Sequence, residues 1–279
     1  MTARGRFVAR LVTMLIAMAG FVTVGALPAA AGNSGTVQYV ALGDSYAAGQ
    51  GGGGDSVENC QQSPNGYPYL LDPRRRIDLR ANAACTGAST SEVITQLAAL
   101  NEDTELVTLT VGAADFDLSG VLTACTAVPP APVDCQVAIA GAVGELAGLG
   151  GSLFTLYTAV SAAAPDALIV VTGYPYLFEI VEGDPNAALK EQINDAIAAL
   201  NSTIQQAVAA AQAADPDINI VYVDVTEEFA GHGIGSKKPF IHADGEDAYH
   251  PTAAGYRAYA KAIFAAIRSA GLGDNKQVA

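Results

Sequence analysis

Residues Val37 to Leu42 read VQYVAL and stop at Gly43. A compact, β-branched and mostly apolar run ending at glycine reads as a buried strand, because a strand covered on one face alternates apolar and polar positions throughout. Similar runs occur at Leu106 to Val111 (LVTLTV), Ala167 to Thr172 (ALIVVT) and Ile218 to Val225 (INIVYVDV), with a weaker one at Ile77 to Ala84. They bring the expected strands to five. Helical patterns lie between them: Ser91 to Leu100, a Gly-rich apolar segment from about Val137 to Ala164, and Asn186 to Ala214, where Leu189, Ile193, Ile197, Leu200 and Ile204 share a face. A last helix is expected to begin at Pro251 and run to about Ala270, with Tyr256, Tyr259, Ile263 and Ile267 on one stripe. Strands alternating with crossovers long enough for helices predict an α/β fold, a three-layer α/β/α sandwich around a mainly parallel five-stranded sheet. Ligands of such sheets sit at the carboxyl ends of the strands.

The 279 residues are 51% hydrophobic and 15% charged, enough apolar material for a full core and too much for a disordered chain. Twenty-eight acidic residues against fourteen basic ones give a net charge of −14, which repels phosphate backbones and anionic headgroups. Nucleic acid is therefore not an expected partner. The 29 glycines follow no collagen period, and no repeat recurs at solenoid or propeller spacing.

The start of the chain carries Arg4, Arg6 and Arg10, then LVTMLIAMAGFVTVGAL, then Ala29-Ala30-Ala31. A basic head, an apolar stretch and a small-residue cleavage site make a secretory signal peptide of residues 1–31, leaving 32–279 as a single secreted domain. Gly141 to Pro165, the most apolar later stretch, contains Glu145 and several glycines, which suits a buried helix better than a membrane span. No integral span is expected in the mature chain, and nothing in the sequence implies more than a monomer. Export makes disulfides of Cys60, Cys85, Cys125 and Cys135. Four cysteines allow three connectivities, of which Cys60–Cys85 with Cys125–Cys135 is the local solution. Their spacing, with all three histidines far downstream, does not suit a metal site.

After the first expected strand the chain reads Gly43-Asp44-Ser45-Tyr46, which puts a serine hydroxyl at the carboxyl edge of the sheet. These are also ordinary turn residues, and Ala47 breaks the G-x-S-x-G elbow. Far downstream stands Asp247-Ala248-Tyr249-His250-Pro251, where Pro251 biases His250 toward extended backbone. A serine nucleophile needs a base, and that imidazole needs an acceptor on its other nitrogen to fix the tautomer. Asp247 and His250 offer carboxylate and base from one turn; a capping turn with a solvated histidine is the plainer alternative. His232 and His242 have no acidic partner at that spacing and read as loop residues. Gly49 to Gly54 formally fits G-x-G-x-x-G, but no apolar helix follows, so the run reads as a flexible lip of the site rather than a dinucleotide cradle. No metal or organic cofactor is called for.

Several ordered blocks together resemble the SGNH or GDSL hydrolases, particularly secreted bacterial lipases and esterases. They are YVALGDSYAAGQG at Tyr39 to Gly51, CQQSPNGYPYLL from Cys60, ANAACTGAST around Gly87, LVTLTVGAAD at Leu106 to Asp115, FAGHGIG near His232 and DAYHPTAAGY at Asp247 to Tyr256. The resemblance covers nearly the whole mature chain and implies a flavodoxin-like sheet and a serine ester hydrolase acting on a small-molecule or lipid ester. It implies Ser45 as nucleophile, His250 as base and Asp247 as its orienting carboxylate. The Ser45 and Gly87 N–H groups would form the oxyanion hole, and the pairings would be Cys60 with Cys85 and Cys125 with Cys135.

Two departures stand out. Where the family has G-x-N-D, this chain has Gly112-Ala113-Ala114-Asp115, so Ala114 replaces the carboxamide that would face the oxyanion. Loss of one such donor typically costs about 10²–10³ in rate. Asn82, shortly before Gly87, is a candidate substitute. Secreted relatives often carry a third disulfide at the G-H-G-I loop, where Gly235 stands here, which predicts a looser loop. Two functions are compatible with this pattern: a secreted ester hydrolase weakened at Ala114, or a catalytically silent protein of the same fold that binds a lipid, glycan or envelope component.

Overall fold

The computed structural model describes residues 35–272, apart from 55–59, 73, 75 and 128–130; the expected signal peptide lies outside the described residues. Five strands form one sheet: β1 (Val37–Gly43), β2 (Ile77–Asn82), β3 (Leu106–Thr110), β4 (Leu168–Thr172) and β5 (Ile220–Val223). Every pairing is parallel and the order is β2-β1-β3-β4-β5. This is the expected three-layer arrangement in flavodoxin-like order. Successive strands are added toward one edge up to β2 and toward the other from β3 on, so the winding reverses between β1 and β3, which is where a crevice opens beyond the strand ends. All five residues of β3 and of β4 are buried, which explains why their sequences hold only apolar residues and threonines and do not alternate with charged ones.

Eight α-helices occur among the described residues: α1 (Ser45–Ala48), α2 (Tyr67–Leu71), α3 (Thr90–Gln96), α4 (Leu118–Cys125), α5 (Pro132–Ala163), α6 (Ala187–Ala214), α7 (Thr226–Phe229) and α8 (Ala253–Ser269). α2 and α7 pack with α8 on one side of the sheet, while α3, α4 and α6 gather around α5 on the other. The stripe expected on α6 is buried at Ile193, Ile197, Leu200 and Ile204, and that on α8 at Tyr256, Tyr259, Ile263 and Ile267. Helix α8 begins later than expected. Pro251 precedes it, and Thr252 is its cap, the hydroxyl accepting from Gly255 N–H.

Helix α5 is long and apolar enough, by length and composition, to cross a membrane. Its second half buries Leu149, Leu153, Leu156, Tyr157 and Val160, and the helix packs along α6. Both disulfides take the local pairing, Cys60–Cys85 and Cys125–Cys135. The second ties the end of α4 to the start of α5, and so holds α4 beside the crevice.

Near the sheet's carboxyl edge, Tyr39 of β1 and Tyr67 of α2 meet threonines of β3, one of which meets a threonine of β4. The Tyr39 and Thr108 hydroxyls lie 2.7 Å apart, Tyr67 and Thr110 2.9 Å, and Thr110 and Thr172 2.6 Å. Each buried hydroxyl thereby has a partner, which removes the desolvation cost that an orphan would carry.

Candidate active site

At Gly43 strand β1 passes against β3 so closely that a Cβ would lie 2.1 Å from the Thr110 carbonyl oxygen; with φ at +133°, only glycine fits. Gln96 of α3 fixes this point with both ends of its carboxamide. Its Oε1 accepts from Gly43 N–H at 2.8 Å and its Nε2 donates to the Gly43 carbonyl at 2.9 Å. The chain therefore leaves the sheet in one direction, and Asp44 caps α1 by accepting from Tyr46 N–H at 2.9 Å. Ser45, the first helical residue, is placed at the mouth of the crevice with 9% of its surface exposed.

Asp44 is almost wholly buried, and its second carboxylate oxygen accepts from the Tyr174 hydroxyl. Burial pushes its carboxyl up to about 7, against the opposing pull of the Tyr174 and Tyr46 donors. The side chain of Tyr46 packs edge-on against Tyr174, and its hydroxyl donates to the Tyr249 carbonyl at 2.6 Å. This bond joins α1 to the loop that carries the histidine.

That loop is held on both sides. His242 N–H donates to the His250 carbonyl, Tyr249 N–H to the His242 carbonyl, and Thr252 N–H to Phe240. Within it Tyr249 takes a left-handed φ of +67°, a conformation costly for a bulky residue and kept only where the surroundings fix it. The result is that His250 Nε2 stands 2.9 Å from Ser45 Oγ.

The opposite ring nitrogen corrects one expectation. His250 Nδ1 lies 3.0 Å from the Ala248 carbonyl, and the Asp247 carboxylate makes no hydrogen bond to the ring. Asp247 is separated from the ring by the tightness of the turn, in which His250 N–H is already bonded to the Asp247 carbonyl at 3.0 Å. A carbonyl can only accept, so Nδ1 carries the proton in the neutral ring and Nε2 presents its lone pair to the serine. The partner of Nδ1 is thus a backbone carbonyl where a carboxylate was expected. Asp247 still acts through space. Burial lowers the basicity of His250, while the Ala248 carbonyl and the Asp247 charge oppose that fall.

Opposite the histidine, Gly87 lines the same crevice at φ +77°, and neither its N–H nor that of Ser45 meets an acceptor among the described residues. Two free donors at one wall suit an oxyanion. Asp115 steadies this wall: its carboxylate accepts from Thr90 N–H at 2.9 Å and from the Thr90 hydroxyl at 2.7 Å, joining the loop after β3 to the start of α3. Ala114 also lines the crevice and is exposed, with no side-chain donor to offer. Asn82 does not fill that place. It ends β2, outside the crevice lining, with its Oδ1 accepting from Ala84 N–H.

The crevice encloses about 300 Å³. Its far wall is α4, with Leu118 and Leu122, and Thr126 just beyond it, facing Tyr249. Sequence reading missed this wall and the Ala248 acceptor. For α4 a signal existed, since Leu118, Val121, Leu122 and Cys125 follow helical spacing after the capping Asp117.

Two expectations about loops also change. The Gly49–Gly54 run is pinned at Gln50, whose carbonyl accepts from the Tyr256 hydroxyl at 2.7 Å and whose side-chain oxygen accepts from Thr86 at 3.1 Å. His242 braces the next residue, its Nε2 lying 2.9 Å from the Gly51 carbonyl. The G-H-G-I loop, without a disulfide, is tied by Ile234 N–H to the Leu177 carbonyl and by Glu179 N–H to the Ile234 carbonyl, and His232 stacks on Phe240 at 3.7 Å.

Comparison with known proteins places the chain in a family. Lipase 1 of Streptomyces coelicolor is 32% identical over 263 residues, covering 90% of this chain and 94% of that protein. A lipase of Streptomyces rimosus is 35% identical over 223 residues, covering 78% of this chain and 81% of that one. In three dimensions, the extracellular lipase from Streptomyces rimosus superposes with a TM-score of 0.74 at 30% identity, over 83% of this chain and all of that one. Phospholipase A1 from Streptomyces albidoflavus superposes with a TM-score of 0.71 at 31% identity, over 84% of this chain and 99% of that one. Residues 41–258 match the GDSL-like lipase/acylhydrolase family, and the chain is a member of that family and a carboxylic ester hydrolase.

Proposed function

We propose that the protein is an exported serine ester hydrolase in which Ser45 and His250 work as a pair, oriented by the Ala248 carbonyl. The observation that carries this reading is the 2.9 Å approach of His250 Nε2 to Ser45 Oγ at the wall of the crevice. The Ser45 oxygen attacks the ester carbonyl carbon as its proton passes to Nε2. The imidazolium keeps Nδ1–H on the Ala248 carbonyl and is favoured by the nearby Asp247 charge. The oxyanion takes N–H donors from Ser45 and Gly87. Collapse expels the alcohol with the proton returned by His250, leaving an acyl-serine, and a water activated by the same imidazole releases the acid.

Ala114 supplies no third donor, so the reaction runs below the rate an intact hole would give. The lining of Leu118, Leu122 and Ala113 suits an aliphatic acyl group. The chain's excess of acidic residues disfavours anionic esters at low salt. Export rests on the basic and apolar first thirty residues, on the two disulfides and on the extracellular relative.

The test is hydrolysis of short and long p-nitrophenyl esters by the purified protein beside Ser45→Ala. Turnover that Ser45→Ala abolishes supports the reading. Equal rates for the two proteins on every ester refute it, and rescue by Ala114→Asn would then identify a binding protein whose oxyanion hole has been dismantled.

A further inference from the structure

Behind the active-site crevice lies a second cavity of about 190 Å³, lined by Cys125, Phe178, Leu189 and Ile193, with Asn186 and Lys190 at its polar side. The two cavities share Thr126. Between them stands the side chain of Tyr249, which lines the crevice. Its ring packs on Phe178 of the second cavity at 6.3 Å between centroids, and its hydroxyl donates to Thr126 Oγ1 at 3.2 Å.

Both halves of this partition are anchored at the backbone. Asn194 accepts from the Phe178 N–H at 3.2 Å and donates to the Phe178 carbonyl at 2.9 Å. The Tyr249 backbone is fixed too, through His242 and Tyr46, but its side chain has a single hydrogen bond, exposed to solvent. Rotation of Tyr249 about its side-chain bonds breaks only that one bond and leaves the backbone bonds that hold the His250 loop in place. Beyond the partition the environment suits a neutral chain end. Leu189, Ile193 and Phe178 are apolar, and Lys190 is already neutralised by Asp184 at 2.5 Å while its ammonium lies over the Phe178 ring.

We propose that the second cavity is the distal part of the acyl-chain site and that Tyr249 is the residue that sets how long an acyl chain the enzyme accepts. This rests on the reading of the crevice as an ester hydrolase site. Short acyl groups end against Tyr249. Longer ones displace it and lay their terminal methylenes along α6.

The test compares kcat/KM for butyryl and dodecanoyl p-nitrophenyl esters in the wild type, Tyr249→Ala, Leu189→Trp and the double variant. Each methylene newly accommodated is worth about fourfold, so Tyr249→Ala raises the long-to-short ratio by at least about tenfold. Leu189→Trp fills the second cavity from α6, lowering that ratio in the wild type and cancelling the gain in the double variant. An unchanged ratio in Tyr249→Ala, or no effect of Leu189→Trp, overturns the proposal. Should Tyr249→Ala fail to fold, Leu189→Trp alone decides. In parallel, calorimetric Kd values for the corresponding methyl esters are measured on Ser45→Ala protein with and without the same substitutions. If no ester is hydrolysed but the Kd ratios shift as stated, the catalytic reading falls and the chain site stands; if esters are hydrolysed and neither ratio moves, the chain site falls alone.

Discussion

Replacing Asp44 by asparagine should change how stability depends on pH. Asp44 is 2% exposed, and burial holds its carboxyl at about 7 against an ordinary value of 3.8. Between those two values the folded chain binds a proton at this site that the unfolded chain has released. The folded pKa is the higher one, so the contribution is fully present below pH 3.8 and is lost as pH rises through about 7. At 1.36 kcal/mol per pH unit, the gap of about three units amounts to roughly 4 kcal/mol lost by the wild type. Asparagine cannot titrate and loses nothing. Its amide facing the Tyr174 hydroxyl adds a penalty, but one that does not vary with pH, and other groups cancel in the difference between the two proteins.

The difference in unfolding free energy, Asp44→Asn minus wild type, should therefore rise by roughly 4 kcal/mol from pH 4 to pH 7.5 and then level off. Urea titration with the disulfides intact measures it, and because the chain has no tryptophan its eleven tyrosines are the fluorescent reporters. With a urea slope of about 2–3 kcal/mol/M, the gap between midpoints should move by about 1.3–2 M. A gap constant across that range would refute the reasoning. It would mean that the Tyr46 and Tyr174 donors keep Asp44 ionised throughout and that burial is not the dominant influence.

Three further outcomes are expected. Ala114→Asn should raise kcat, by up to about 10²–10³ if its carboxamide reaches the oxyanion, with little change in KM; stopped-flow hydrolysis of a good ester distinguishes the two. Asp247→Asn should cost less than about tenfold in kcat, far below the roughly 10⁴ lost when a carboxylate that fixes the tautomer is replaced, because the Ala248 carbonyl remains in place. The acid limb of kcat/KM should fall below the ordinary histidine value of 6.5, since burial favours the neutral ring. In Asp247→Asn that limb should move lower still, as a charge that favours the imidazolium is removed; a move upward would contradict the assigned field.

The parts legible in the sequence share one property: their signal is carried by side chains. VQYVAL announces β1 because a strand covered on both faces is apolar at nearly every position, and the α6 and α8 stripes repeat at the helical period. Helix α4 went unread because eight residues give barely two turns of pattern, and they follow a loop whose Asp117 adopts φ +50°. The Gly49–Gly54 run looked free because its restraint comes from Gln50, Tyr256 and Thr86, which lie apart in the chain.

The active site divides along the same line. Ser45 and His250 could be named from their side chains, and the distance between them agrees. The atom that orients His250 could not, because every residue has a carbonyl and nothing in Asp247-Ala248-Tyr249-His250 marks that of Ala248. An acidic residue three positions before a histidine reads as its partner whether or not the turn lets the carboxylate reach the ring. Here the bond from His250 N–H to the Asp247 carbonyl closes the turn, and Nδ1 is left facing Ala248. The two free donors of the proposed oxyanion wall, Ser45 and Gly87, are backbone groups as well. In the function proposed for this chain most of the catalytic polarity is therefore in the main chain, where point substitution does not remove it, and the exposed Ala114 brings no side-chain donor to the crevice.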